Sequence, residues 1–279
     1  MTIFMKGAAA AVVCLAVLAF AAPPGSAQEK SKLDEVMARG KLIVGVTSEA
    51  PPFGFVDEKG ELVGFDIDIA RLIAKATFGD ANKIDLVRQG FAARWPNVEN
   101  GTTDFGIQVT TIYADRAQRV AFTRPYIDSG IVVVVKADSA IRKIADLNNA
   151  KYTVAHLTAP VQEERGKRLY PQAKFVTYDS IAAQFNAVKL GRADAAQLDA
   201  PVAWWYAKDN PDVRILDEWL TDVTSNAVFL RQGDFKWWLY LDTVVAEITG
   251  GSLFSQYSAI FQKWFGHPPP HAKYYLNKP

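Results

Sequence analysis

Apolar residues recur along this chain in two alternating rhythms. "KLIVGV" (41–46), "IDLVRQ" (84–89) and "DFGIQVT" (104–110) are apolar runs of strand length. Interleaved with them are segments of helical spacing: "LDEVMAR" (33–39), closed by Gly40; "DIDIARLIAKATFG" (66–79), with Ile67, Ala70, Ile73 and Ala74 on one face and Gly79 past its end; and "ARWPNVENG" (93–101). "TSEAPPFGFVDEKGELVGF" (47–65) reads as a loop and hairpin turning at "DEKG". The alternation restarts after Asp128. Strands are expected at "GIVVVVKAD", "YTVAHL", "AKFVTY" and "ADAAQLD", and helices at "IADLNNA", "VQEERGKRLY" and "SIAAQFNAVKLG". The tail holds an apolar "NAVFLR" and two helical segments, "FKWWLYLDTVVAEITG" and "LFSQYSAIFQKWFG".

Alternating strands and helices indicate an α/β fold with parallel-rich sheets. Two such series, with a tail that has no core of its own, imply two lobes: 28–125 plus 225–279, and 129–220. The chain then crosses between them twice, near 125–129 and 220–224, which makes a two-strand hinge and a cleft between the lobes.

The first 27 residues change the picture of where the protein works. Lys6, the apolar run "GAAAAVVCLAVLAFAA" and the small residues "GSA" before Gln28 have the pattern of a cleaved signal peptide, so a periplasmic location is expected. Cys14, the only cysteine, lies inside that segment, which leaves the exported chain without a thiol. Charge is balanced, with 31 Lys+Arg against 30 Asp+Glu and one of those lysines in the leader. That balance gives no support for nucleic-acid binding. No spacing of His, Asp or Glu has the pattern of a metal site, and no cofactor or metal is expected. His267 and His271 flank a proline run and are expected to be exposed, whereas His156, at a strand end, is expected to be buried and hydrogen-bonded. The pairs Trp204/Trp205 and Trp237/Trp238 are expected to serve packing.

Four stretches in a fixed order carry a resemblance: "GELVGFDIDIARLIA", "TTDFGIQVTTIYADRAQRVAFTRPY", "FVTYDSIAAQFNAVKLGRADAAQLD" and "FQKWFG". Together they resemble the family 3 extracytoplasmic solute-binding proteins, which deliver polar amino acids to ABC importers, from "KLIVGV" to "KWFGHPP". The resemblance implies the two-lobed, type II periplasmic-binding-protein fold. It also implies capture of an amino acid or similar carboxylate-bearing molecule, a membrane permease as partner, and a monomer that needs no enzymatic step.

It also implies roles for particular residues. Arg116 corresponds to the cation that clamps the ligand's α-carboxylate, which a guanidinium does with paired donors. Thr111 corresponds to a hydroxyl donor to the same group, the Val109 backbone to a carbonyl that meets the α-ammonium, Asp199 to the acid that pairs with it, and Phe91 to an apolar cleft wall. Arg94 resembles an arginine of the acidic-amino-acid branch. The chain departs from the family at "TSEAPPF", where Thr47 and Ala50 replace an acid and a stacking ring. It departs again at "TAPV", where Thr158 survives but Pro160 and Val161 replace hydroxyl donors. The alternative reading is a cyclohexadienyl dehydratase-like enzyme on the same scaffold, for which Glu49 and His156 are the candidate proton-transfer groups.

Overall fold

The computed structural model describes residues 30–158, 160–221 and 223–269. The expected signal segment, with Cys14, and His271 lie outside the described residues.

The chain opens with α1 (Lys32–Arg39), capped by the Ser31 side chain and closed by Gly40 at φ 73°. It continues as β1 (Leu42–Val46), β2 (Glu49–Ala50), β3 (Gly54–Val56), β4 (Leu62–Val63), α2 (Phe65–Phe78), β5 (Ile84–Arg88), α3 (Arg94–Glu99) and β6 (Phe105–Gly106). A 3-10 turn at Arg116–Gln118 leads into β7 (Ala121–Ser129) and β8 (Ile131–Lys136). After them come β9 (Thr153–Leu157), α4 (Pro160–Leu169), β10 (Lys174–Tyr178), α5 (Ile181–Lys189), β11 (Ala195–Asp199) and α6 (Ala200–Ala207). The described chain finishes with β12 (Val213–Trp219), β13 (Thr224–Leu230), α7 (Phe235–Gly250) and α8 (Phe254–Phe265).

The strands form two five-stranded sheets, ordered β5-β1-β6-β13-β7 and β10-β9-β11-β8-β12, and a small β2-β3-β4 sheet. β5, β1 and β6 run parallel, and β13 closes antiparallel against β6 and β7. In the second sheet β10, β9 and β11 are parallel, while β8 pairs antiparallel with β11 and β12. This is an α/β fold with parallel-rich sheets. The chain passes from the first sheet to the second at Gly130, between β7 and β8, where a Cβ would stand 2.2 Å from the Trp219 ring. No larger residue fits that passage without moving the indole.

Three expectations need correction. The strand expected through Thr110 ends at Gly106, because Val109 adopts a left-handed backbone (φ 43°) that takes the chain out of the ladder. Two strands are additional: β7, whose Pro125 and charged side chains conceal its pairing with β13, and β12. Trp204 is 52 % exposed and meets Trp219 edge-on at 6.0 Å, so it packs at the surface. Trp237 is fully buried and its indole donates to the Asp104 carbonyl at 3.1 Å.

The tail helices are fastened by rings. Phe65, the first residue of α2, is fully buried. It lies 6.1 Å from Tyr126 of β7 and 6.0, 5.9 and 5.1 Å from Tyr257, Phe261 and Phe265 of α8. Offset and edge-on rings at these separations add to the apolar burial. Phe65→Ala is expected to remove about 3–5 kcal/mol of stability, as other buried aromatic truncations do, measured by urea unfolding. A loss near zero would show that α8 does not depend on this ring.

One residue later, Asp66 is also fully buried, which is unusual for an acid. Its carboxyl accepts the Val109 N–H (2.9 Å) and the Tyr126 hydroxyl (2.7 Å), and so holds the left-handed turn at Val109. Burial raises its pKa to about 7, against the opposing effect of those two bonds. Because the folded pKa lies above the unfolded one, the stability this group contributes is complete below about pH 4 and is lost as pH rises toward 7. Asp66→Asn cannot titrate. The melting-temperature advantage of the wild type over this variant is therefore expected to shrink between pH 4 and pH 7, by a free energy of a few kcal/mol. An advantage constant with pH would contradict the raised pKa.

Candidate functional site

A cavity of about 420 Å³ opens between the two sheets. The first sheet supplies the loop after β5, the start of α3 and the irregular stretch after β6. The second supplies the ends of β9 and β11 and the inner faces of α4 and α5. All seven residues singled out in the sequence, Phe91, Arg94, Val109, Thr111, Arg116, Thr158 and Asp199, line it. A larger cavity, about 840 Å³, shares none of these residues. Its walls are rich in aromatic residues, among them Tyr126, Trp204, Trp205 and Trp264, and no arginine lines it among the described residues.

Arg116 begins the 3-10 turn before β7 and is not a solvated helix cation. Its Nη1 donates to the Thr111 carbonyl at 2.8 Å and its guanidinium stands 4.9 Å over the Tyr113 ring. Burial draws its pKa down, while Tyr113, Asp199 and Asp115 oppose the shift. Asp199, the last residue of β11, occupies the N-cap position of α6 without capping it; its carboxylate accepts the Ser129 hydroxyl at 3.1 Å. Burial raises its pKa, and Arg116, Arg165 and Arg94 pull it back.

Arg94 is buried beside Trp95 (4.2 Å) and Phe91 (5.5 Å), with no hydrogen-bond partner for Nε among the described residues. Burial lowers its pKa to about 9, Arg116 adding to the shift and Asp199 opposing it. Beneath it a ladder of amides runs from Asn97 to Gln89 (2.6 Å) and from Gln89 to Gln108 (3.0 Å), tying α3 to the chain after β6. The Val109 N–H is spent on Asp66, and the Thr111 carbonyl on Arg116.

Thr158 lines the cavity with its polar groups engaged by neighbours. Its N–H donates to the Tyr178 carbonyl at 2.8 Å, and its hydroxyl engages Asp179 (2.9 Å) and Tyr178 (3.1 Å). Neither candidate proton-transfer group lines the cavity. Glu49 is exposed. His156 is buried, but its ring nitrogens have no hydrogen-bond partner among the described residues, contrary to the expected hydrogen-bonded histidine, and burial lowers its pKa to about 4. His267 is exposed at the end of α8. No His/Cys/Asp/Glu group with metal-binding spacing occurs among the described residues.

Arg165 and Tyr113 also line the cavity, and the family resemblance gives neither a role. Arg165, in α4, is buried, lines the cavity and donates to the Tyr113 hydroxyl at 2.8 Å. Its signal was helical phase. Glu163 and Lys167 pair with each other at 2.6 Å on one face, while Gln162 and Arg165, three apart, line the cavity from another.

Known proteins fit this geometry. The family model for bacterial extracellular solute-binding proteins, family 3, matches residues 42–267. The chain is 36 % identical to the glutamine-binding protein of Geobacillus stearothermophilus over 67 % of its own length and 71 % of the relative's. It is 28 % identical to the L-cystine-binding protein TcyJ of Escherichia coli (strain K12) over 85 % and 87 %. The crystal structure of an ancestral amino acid-binding protein, a precursor of cyclohexadienyl dehydratase, superposes with a TM-score of 0.76 at 32 % identity, covering 84 % of this chain and all of that one. With the family model matched over residues 42–267 and the fold shared with solved relatives, this chain belongs to the bacterial extracellular solute-binding proteins of family 3.

Proposed function

We propose that the protein captures an amino acid, or a similar carboxylate-bearing molecule, outside the cytoplasmic membrane and delivers it to the permease of an ABC importer. One observation carries this reading: a half-buried guanidinium, Arg116, and a half-buried carboxylate, Asp199, reach one cavity from different sheets, and neither is ion-paired among the described residues. A zwitterion supplies both missing partners. Its carboxylate takes the fork of Arg116, and its ammonium takes Asp199 and the Val109 carbonyl. Thr111, Phe91 and Arg94 complete the wall. The relatives support the same class of ligand, being named for binding glutamine and cystine.

The division of labour follows. Residues 28–125 with 225–279 form one lobe and 129–220 the other, hinged at 125–129 and 220–224. A ligand that finds its two counter-charges on different lobes favours the closed arrangement. Contacts between the halves, such as Phe55 with Trp205 at 5.6 Å, add to it. Residues 1–27 direct export to the periplasm and are removed, and no helix among the described residues is long and apolar enough to cross a membrane. The protein acts as a monomer, without nucleic acid and without a cofactor. The dehydratase reading draws on the ancestral structure alone, and Glu49 and His156 lie outside the cavity wall.

The test is calorimetry with a panel of L-amino acids. Arg116→Ala is expected to weaken the best ligand by 2–5 kcal/mol, about 30-fold or more, since it leaves a desolvated carboxylate unpaired. An unchanged affinity would show the clamp to be misassigned, and turnover of prephenate or arogenate would replace the transport reading.

A further inference from the structure

Helix α4 is rich in charge, and its polar residues divide between two faces. Glu163 and Lys167 satisfy each other. Gln162 accepts the Leu157 N–H at 2.8 Å, which ends β9, and Arg165 turns to the cavity. Arg165 is 7 % exposed, and one donor, Nη1, has no partner among the described residues. No carboxylate among the described residues forms an ion pair with it. A cation taken out of water in this way costs several kcal/mol unless an anion meets it.

Its neighbour is another cation. Arg116 and Arg165 approach the same ring, with guanidinium carbons 4.9 and 5.8 Å from the centroid of Tyr113; Arg165 adds to the lowering of the Arg116 pKa that burial begins, and both cations are felt by the same acid, Asp199. The Tyr113 hydroxyl accepts from Arg165 but carries no compensating charge. Asp115 stands exposed on the rim, and Glu99 is engaged by Arg119 at 2.6 and 2.8 Å, so neither acid neutralises the pair. Before α4, Thr158 has its polar groups engaged. The N–H and hydroxyl of Thr158 are spent on Tyr178 and Asp179, and Pro160 has no N–H. The strongest donor that α4 presents to the cavity is Arg165 itself.

We propose that Arg165 is the second jaw of the carboxylate site: the ligand's α-carboxylate lies between the guanidiniums of Arg116, from the first sheet, and Arg165, from the second, with Tyr113 as the spacer that sets their separation. The proposal rests on the amino-acid-binding reading above and adds a residue to it. A single anion there offsets the repulsion of a buried and a half-buried cation that belong to different halves of the molecule, so recognition and closure draw on the same contact.

Calorimetry on the full mature protein tests it with L-glutamine, L-glutamate, L-arginine and L-cystine as probes, together with the α-carboxamide of the best binder. Arg165→Gln is expected to weaken every amino acid that the wild type binds by about 30-fold or more, irrespective of side-chain charge, as the loss of one member of a buried charge pair does. The α-carboxamide, lacking the anion, is expected to bind wild type and variant equally weakly. Arg165→Lys, which keeps the charge but not the fork, is expected to fall between. Thermal melts of the unliganded variants check that they fold; should Arg165→Gln fail to, Arg165→Lys carries the comparison. Three results overturn the proposal: unchanged affinities in the variants, a loss confined to ligands with acidic side chains, or an equal loss for the α-carboxamide. If the wild type binds no amino acid at all, the proposed function falls; if it binds them and the variants match it, only the second jaw falls.

Discussion

Cations withdrawn from water with no acid beside them are the constraint around which this molecule is arranged. Arg94 and Arg165 are buried and Arg116 half-buried at one cavity, and among the described residues none forms an ion pair. The protein makes them tolerable by lesser means: aromatic faces at Trp95 and Tyr113, a carbonyl at Thr111, a phenol at Tyr113 and the long-range pull of Asp199. Each of these is weaker than a salt bridge in a dry site. An anion entering the cavity would supply the remainder of the compensation, which is the basis of the binding proposed for it.

The framework beneath is arranged to keep that cavity in shape. Asp66, buried at the start of α2, fixes the left-handed turn at Val109 and reaches across to Tyr126 of β7. The same helix end carries Phe65, which locks α8 against the first sheet. A carboxyl whose pKa burial raises to about 7 is an expensive way to hold a backbone turn, and it sits where the chain leaves β6 to line the ligand site. Strain and burial of this kind concentrate where function needs a fixed geometry.

Much of this was legible in the residues. Helix ends marked by Gly40 and Gly79, the apolar face of α2 and the short strands β1, β5, β9 and β11 follow directly from periodicity. What escaped had physical reasons. β7 contains a proline and two charged residues, Arg124 and Asp128, and it is a strand because β13, distant in sequence, pairs with it. β6 stops early because a buried acid forty residues upstream holds Val109 out of the ladder, which no local pattern encodes. The seven site residues were found by family likeness, and all reach the cavity, although the hydroxyl of Thr158 is committed elsewhere. Arg165 was hidden by its surroundings: "EERGKR" has the look of a solvated helix face, and only the tertiary contact with Tyr113 reveals which way it turns.

The most direct test of the account is a crystal structure of the protein with its tightest-binding amino acid. The α-carboxylate is expected within about 3 Å of the Arg116 guanidinium, the usual reach of a charge-assisted hydrogen bond, and the α-ammonium at a similar distance from the Asp199 carboxylate. A ligand seated in the larger aromatic cavity, or one whose carboxylate points away from Arg116, would contradict it.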